Sequence, residues 1–247
     1  MDTKKLQTLG LCKSYDNRQI VEDINISINT GEIVALLGTS GGGKTTLFNM
    51  ISGLEKPDTG QILLEGNDIT GSTGNVSYMQ QKDLLMPYKT ILDNVSLPLV
   101  IKGTSKKEAR EYTGAMFDKF GLEGTQNKYP SQLSGGMKQR ASFLRAYLFS
   151  NEIMLLDEPF SALDAITKAD LHEWYLTMMQ KTKVTTLFVT HDLDEAIYLS
   201  DRIYILSGKP GRISKEIIVK EARPRNEEFK ISERFLEYKR EIISYIR

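Results

Sequence analysis

Lysine 44 and the residues around it are the first in this chain whose types and spacing suggest chemistry. The stretch LLGTSGGGKTT, Leu36 to Thr46, holds four glycines, one lysine and a run of small hydroxyl residues, directly after an apolar segment. Gly38, Gly43, Lys44 and Thr45 satisfy G-x-x-x-x-G-K-[ST]. Glycines admit backbone conformations closed to other residues. Successive N–H groups can then converge on an anion, and a following helix adds its positive end. Read this way, Gly38, Thr39, Ser40, Gly41, Gly42, Gly43, Lys44, Thr45 and Thr46 cradle a phosphate chain. Lys44 sits against the outer phosphates, and the Thr45 hydroxyl is offered to Mg²⁺. A second constellation is IMLLDEP, which ends an apolar run with Asp157 and Glu158. One carboxylate there can hold a water on the cation, and its neighbour can orient or deprotonate an attacking water. Hydrolysis, as opposed to binding, rests on Glu158.

A third stretch, YPSQLSGGMKQRASFLRA, puts Ser134, Gly135 and Gly136 before an expected helix from Met137. This is again bare backbone at a helix N-terminus, a second place for an anion. One nucleotide needs one phosphate loop, and an N-cap serine with flexible glycines explains the stretch equally well.

These stretches must be carried by regular elements. QIVEDINISINTGEIVALLG alternates apolar and polar residues, turns at Thr30-Gly31-Glu32, and continues as an apolar run over Ile33 to Leu37. The alternation suggests half-exposed strands, and the run suggests a strand buried on both faces, as in a parallel sheet. IMLLDEP and TTLFVTHD have the same buried texture and end in polar residues, where ligands of open α/β sheets bind. KPDTGQILLEGNDI reads as turn, strand, turn. SKKE, Ser105 to Glu108, has capping-box spacing, and Ala109, Met116, Phe117 and Phe120 follow at helical intervals. EEFKISERFLEYKREIISYIR reads as a closing amphipathic helix.

Composition narrows the class. The 247 residues carry 32 basic and 32 acidic side chains. No net field therefore draws the chain to nucleic acid or anionic lipid. Cys12 is the single cysteine, which excludes an internal disulfide framework and suits a reducing compartment. The opening MDTKKLQTLGLCKSYD carries no apolar leader core, and no run of about 18 apolar residues is present to span a membrane.

Over residues 4 to 215, nearly every motif matches the ATP-binding subunits of ABC transporters, in order. GTSGGGKT resembles their phosphate loop. Gln81 in YMQQKDLLMP resembles the glutamine that senses Mg²⁺ and the membrane partner; it is preferred to Gln80 because it lies six residues before Pro87. LSGGMKQR, Leu133 to Arg140, is similar to the signature motif, and SALD, Ser161 to Asp164, to the loop that communicates across a dimer. His191 in VTHD resembles the switch histidine, and Tyr15 in KSYD the aromatic that stacks on adenine. The loop departs mildly from the family, with Thr39 where proline is frequent and Gly42 where cysteine is frequent.

The resemblance implies an α/β fold: a P-loop NTPase core with a mixed sheet, an N-terminal antiparallel β subdomain and an inserted α-helical subdomain. The whole chain, 1–247, would be one ATPase domain, with the helical insertion at about 85–150 and a short C-terminal extension at about 209–247. It implies ATP and Mg²⁺ as cofactors, with Thr45, Gln81 and Asp157 at the metal and Lys44, Gln81, Glu158 and His191 as the catalytic set. His191 is expected to contact the γ-phosphate and fix Glu158 and water. Two copies would pair head to tail, Ser134, Gly135 and Gly136 of each closing over the other's ATP. Further implied partners are transmembrane permease subunits and, through them, an extracytoplasmic substrate-binding protein, with no nucleic acid. The place would be the cytoplasmic face of the membrane. Leu85, Met86 and Tyr88 are the expected contacts to the permease.

Within the family, fused exporters are disfavoured by the missing span, and soluble ATPases of translation or repair by the absence of tandem domains or a coiled-coil insertion. DEPFSALDAITKADL and FVTHDLDEAIYLSDRIYILSGKPGRI, followed by RPR at 223–225, resemble the nitrate/sulfonate/taurine-type importers. That group takes small anionic or heterocyclic nutrients, including thiamine-precursor pyrimidines. The large regulatory barrel of sugar-importer relatives is expected to be absent. A soluble, non-transport regulatory or assembly ATPase is the alternative.

Overall fold

A computed structural model describes residues 4–39, 41–150, 152–161 and 163–246. Among the described residues ten strands form two sheets. β1 (Lys4–Tyr15), β2 (Arg18–Asn29), β4 (Thr59–Leu64) and β5 (Asn67–Asp68) make an antiparallel sheet in the order β2-β1-β4-β5. The second sheet contains β3 (Ile33–Gly38), β6 (Ser77–Met79), β7 (Ile153–Asp157), β8 (Thr185–Thr190), β9 (Arg202–Ser207) and β10 (Arg212–Ile218). Its order is β10-β9-β3-β8-β7-β6, parallel from β9 to β6 with β10 antiparallel at the edge.

Every residue of β3, β7 and β8 is buried, because this sheet is covered on both faces. The two-residue side-chain period divides each strand between two cores. Ile33, Ala35, Leu37, Met154, Leu156 and Phe188 join one. Val34, Leu36, Ile153, Leu155, Leu187 and Val189 join the other, with α1 (Lys44–Ile51) and the inward residues of the antiparallel sheet. Each such aliphatic side chain contributes about 1.5–3 kcal/mol by leaving water.

The helical region runs through α2 (Ile91–Ile101), α3 (Lys106–Gly114) and α4 (Gly135–Phe149). Thr90, Ser105 and Ser134 cap them, each side chain accepting a backbone N–H of its first turn. The helical spacing expected to run on to Phe120 ends at Gly114; a 3₁₀ turn, Asp118–Phe120, follows. Phe117 and Phe120 are nevertheless fully buried, so their apolar spacing serves the core without a continuous helix.

α5 (Ala165–Thr182) and α6 (Leu193–Leu199) flank β8. The closing segment is two helices, α7 (Glu227–Lys230) and α8 (Glu233–Ile246), and not one. The break falls at Ile231-Ser232, where the Ser232 hydroxyl accepts from Phe235 N–H at 3.2 Å. α8 buries Phe235, Tyr238 and Ile242. Arg225 ties the tail back: its guanidinium donates to the carbonyls of Ile197, Tyr198 and Ser200 at 2.8–3.0 Å, satisfying the open C-terminal end of α6.

Candidate active site

The phosphate loop is where β3 leaves the sheet and α1 begins. Two glycines there are required by geometry. A Cβ at Gly38 would lie 2.6 Å from the Leu206 carbonyl oxygen, because β9 runs alongside. Gly43 sits at φ +92°, and its Cβ would lie 2.4 Å from Val21 Cγ1, so both the dihedral and the space admit only glycine. Lys44 is the first residue of α1 and is buried, with an exposure of 7 %. Its ammonium donates to the Gly38 and Thr39 carbonyls, each at 2.9 Å. Burial pulls its pKa below the ordinary lysine value, while the Glu158 and Asp157 carboxylates act in the opposite direction. Gly42 N–H closes the loop onto Thr39 O at 3.2 Å. Ser40 lies outside the described residues.

Gly41, Gly43, Lys44, Thr45 and Thr46 line a cleft of about 440 Å³ together with Asp157, Glu158, Gln81, His191 and Ile20. That volume is in the range of small-molecule sites. Asp157 ends β7 and is buried, its Oδ2 accepting from Tyr78 OH at 3.2 Å. Burial, and secondarily the neighbouring Glu158, raises its pKa; the Tyr78 hydrogen bond works against them. Burial and the same Asp157 carboxylate hold the Tyr78 phenol well above its usual range.

Glu158 has φ +45°, uncommon for a residue with a Cβ. Its N–H donates to Val189 O at 3.1 Å, locking it beside the end of β8. Gln81 Nε2 donates to its Oε2 at 3.1 Å, and His191 Nδ1 lies 3.4 Å from its Oε1. Ser161 Oγ donates to the Glu158 carbonyl at 3.0 Å. Thus the glutamine and the histidine, from two separate loops, converge on the Glu158 carboxylate. Gln80 instead lines a different groove.

The cleft suits a nucleotide with Mg²⁺. Mg²⁺ is commonly held by one or two carboxylates plus substrate phosphates, and Asp157 and Thr45, which both line the cleft, are the residues that would hold it. Among the described residues no group of three His, Cys, Asp or Glu could hold a metal by itself. Tyr15, at the end of β1, is 42 % exposed and has Lys13 Nζ 5.6 Å from its ring centroid. Partial burial and Glu55 raise its pKa, with Thr46 opposing. Tyr15 does not line the cleft.

Ser134, Gly135 and Gly136 line no part of this cleft. Ser134 is the exposed N-cap of α4, its hydroxyl accepting from Met137 N–H at 3.3 Å. The helix starts at Gly135, two residues earlier than its sequence suggests. A Cβ at Gly135 would lie 3.0 Å from Leu163 Cδ2, and one at Gly136 3.1 Å from Thr167 Cγ2, so α5 and the loop before it press close.

The model of the ABC transporter domain matches residues 21–161. The chain belongs to the ABC transporter family. Curated ABC relatives agree over most of the length. The formylaminopyrimidine import ATP-binding protein ThiZ of Halalkalibacterium halodurans is 49% identical over 191 residues, 77% of this chain and 74% of that one. The nitrate import ATP-binding protein NrtD of Synechocystis is 37% identical, covering 92% and 88%. An aliphatic sulfonates import ATP-binding protein SsuB of Bacillus cereus is 39% identical, covering 91% and 87%. Among solved structures, a dimeric ATP-binding cassette in a post-hydrolysis state bound to ADP and Pi superposes with a TM-score of 0.75 and 28% identity, over 88% of this chain and 100% of that one. The α/β ABC ATPase fold and ATPase activity follow, and the chain is the ATP-binding, ATP-hydrolysing subunit of an ABC importer.

Two features of this ABC subunit were not visible as motifs. Tyr78 meets Asp157 only because β6 pairs with β7, 79 residues away. The groove beside Gln80, about 450 Å³, has apolar walls from Leu54, Leu84, Leu97, Pro98, Ile101 and Phe149. Of the expected permease contacts, Leu85 is turned into the core at 7 % exposure and Tyr88 is 75 % exposed; neither Met86 nor Tyr88 lines this groove. The buried Asn94 fixes this arrangement, exchanging hydrogen bonds with both N–H and C=O of Met86. Arg145 and Ser142 of α4 hold the Asp83 carbonyl, and Arg145 the Leu84 carbonyl.

Proposed function

We propose that two copies of this subunit bind two ATP molecules between them and drive uptake of a small nutrient through a pair of permease subunits at the cytoplasmic face of the membrane. The observation that carries this reading is the separation of the two glycine-bearing helix starts. The loop at 38–46 opens onto the cleft with the catalytic carboxylates, and the exposed N-terminus of α4 lies outside it. Head-to-tail pairing supplies the second to the first, so Ser134, Gly135 and Gly136 act on the partner's nucleotide. A dimeric relative supports the pairing. In this reading the whole chain is one ATPase domain, with its helical insertion facing the permease.

The roles follow from position. Tyr15 stacks on the base. The loop N–H groups and Lys44 bind the phosphates, and Thr45, Asp157 and Gln81 serve the cation. Bound there, Mg²⁺ would neutralise charge on the phosphate oxygens. Glu158 accepts the proton of the attacking water, and His191 holds Glu158 and contacts the γ-phosphate. The groove beside Gln80 receives the permease. Changing Ile101, 74 % exposed at its rim, to Glu should cut permease affinity by on the order of tenfold or more. ATPase of the isolated subunit should stay unchanged; co-purification and uptake assays check both.

For the substrate, a thiamine-precursor pyrimidine ranks first, on the strength of the 49% identical formylaminopyrimidine relative. Nitrate-like and sulfonate-like anions follow, supported by relatives of lower identity over longer spans. The test is reconstitution with the co-purifying membrane subunits and the extracytoplasmic binding protein, measuring ATP-dependent uptake of labelled formylaminopyrimidine, nitrate and taurine. A subunit that captures no membrane protein, and whose ATPase responds to none, is the soluble regulatory alternative.

A further inference from the structure

Behind His191 lies a buried ionic cluster that does not line the phosphate cleft. His191 stands between Thr190, the last residue of β8, and Asp192, the N-cap of α6. The Thr190 hydroxyl donates to Glu195 Oε2 at 2.6 Å and accepts from Asp192 N–H at 3.0 Å. The carboxylate therefore holds Thr190 directly and Asp192 through the Thr190 hydroxyl. Glu195 is 4 % exposed. Burial alone would raise its pKa, but His172, Lys168 and Thr190 outweigh burial and hold it below the ordinary value, so it is charged. A buried charge persists only when paired.

Its partner is Lys168, whose Nζ lies 2.6 Å from Glu195 Oε1 and 3.2 Å from Asp192 Oδ2. Lys168 belongs to the first turn of α5, and its own N–H donates to the carbonyl of Asp164, the N-cap that closes the Ser161–Asp164 segment. One turn further along, His172 Nε2 stands 3.7 Å from Glu195 Oε1, and its ring meets Phe160 edge-on at 4.6 Å. The loop carrying His191 is thus bolted to the start of the helix that follows Ser161–Asp164.

We propose that Glu195 and Lys168 are positioning residues for ATP hydrolysis. They hold Thr190-His191-Asp192 in register with the N-terminus of α5. The inference rests on the reading of His191 as the group that contacts the γ-phosphate and fixes Glu158.

The experiment is a double-mutant cycle in steady-state ATP hydrolysis, with nucleotide affinity measured in parallel. Glu195→Gln keeps an acceptor for Thr190 and removes the charge facing Lys168. Lys168→Met removes the cation, at a position a quarter exposed on its side chain, and thermal unfolding of the variant reads the cost of leaving Glu195 unpaired. Each should lower kcat by on the order of tenfold while leaving ATP affinity within about twofold, since a misplaced catalytic group costs rate before it costs binding. Lys168→Arg should restore most of the rate. In a His191→Ala background neither change should lower kcat further, because both act through the histidine. If His191→Ala alone leaves kcat intact, the reading of the site fails. If His191→Ala lowers kcat but Lys168→Met does not, or its effect multiplies with that of His191→Ala, the positioning role is overturned. Should Glu195→Gln not fold, Lys168→Met decides the matter alone.

Discussion

Glu158→Gln should bind ATP with near-normal affinity and hydrolyse it slower by on the order of 10²- to 10⁴-fold, the usual worth of a positioned general base. The substitution keeps the shape but turns one carboxylate oxygen into an amide donor, so only one of Gln81, at 3.1 Å, and His191, at 3.4 Å, keeps its acceptor. The negative charge and the capacity to accept a proton are both lost. In the proposed arrangement ATP joins the two copies and hydrolysis releases them, so the variant should accumulate as an ATP-dependent dimer. Sizing with ATP and Mg²⁺ beside a single-turnover assay reads both effects. A variant that remains monomeric with bound ATP would remove the head-to-tail arrangement. A variant that hydrolyses at the normal rate would remove Glu158 from the proton path.

Lys44→Ala should abolish tight nucleotide binding, turnover or both. The ammonium is buried beneath the loop, donating to two of its carbonyls from the start of α1. Its removal takes away the cation facing the phosphates and leaves the Gly38 and Thr39 carbonyls without their donor. Charged hydrogen bonds of this kind contribute about 1.5–3 kcal/mol each, so a fall of at least tenfold to a hundredfold in ATP affinity is expected by fluorescence titration. Thermal unfolding of the free protein separates loss of the phosphate contact from loosening of the loop. Unchanged binding and turnover would refute the phosphate-loop assignment.

Much of the site was legible because its demands are local. A loop that has φ +92° at Gly43, and leaves a Cβ at Gly38 only 2.6 Å from a neighbouring carbonyl oxygen, needs glycine at those points, and glycine at fixed spacing shows in any sequence. The buried strands were legible for a similar reason: β3, β7 and β8 are apolar on both faces, leaving their last residues as the natural place for polar groups. Where neighbours along the chain were not the deciding partners, the expectations slipped. Met116 to Phe120 have helical spacing but sit in a turn, because two phenylalanines gain as much by burial there as in a helix. Leu85 looked like a docking residue and packs inside. Leu84, which did not stand out, faces the groove at φ +46°, turned outward by the Asn94 and Arg145 clamps.

From composition and motif came the proposed chemistry: a phosphate cradle, a carboxylate for a metal, a base and a second helix start suited to an anion. Those properties depend on residue type and on dihedrals within a few positions, which the order of amino acids encodes directly. Assembly came from the fold. β3 lies between β8 and β9, and β7 beside β6, so strands distant in the chain end side by side. That non-sequential order sets Gln81, Glu158 and His191 around one point, brings Tyr78 to Asp157, and seats Lys168 against Glu195 behind the switch. Contacts of such separation arise when two buried faces pack together, and no short stretch of the chain carries that information.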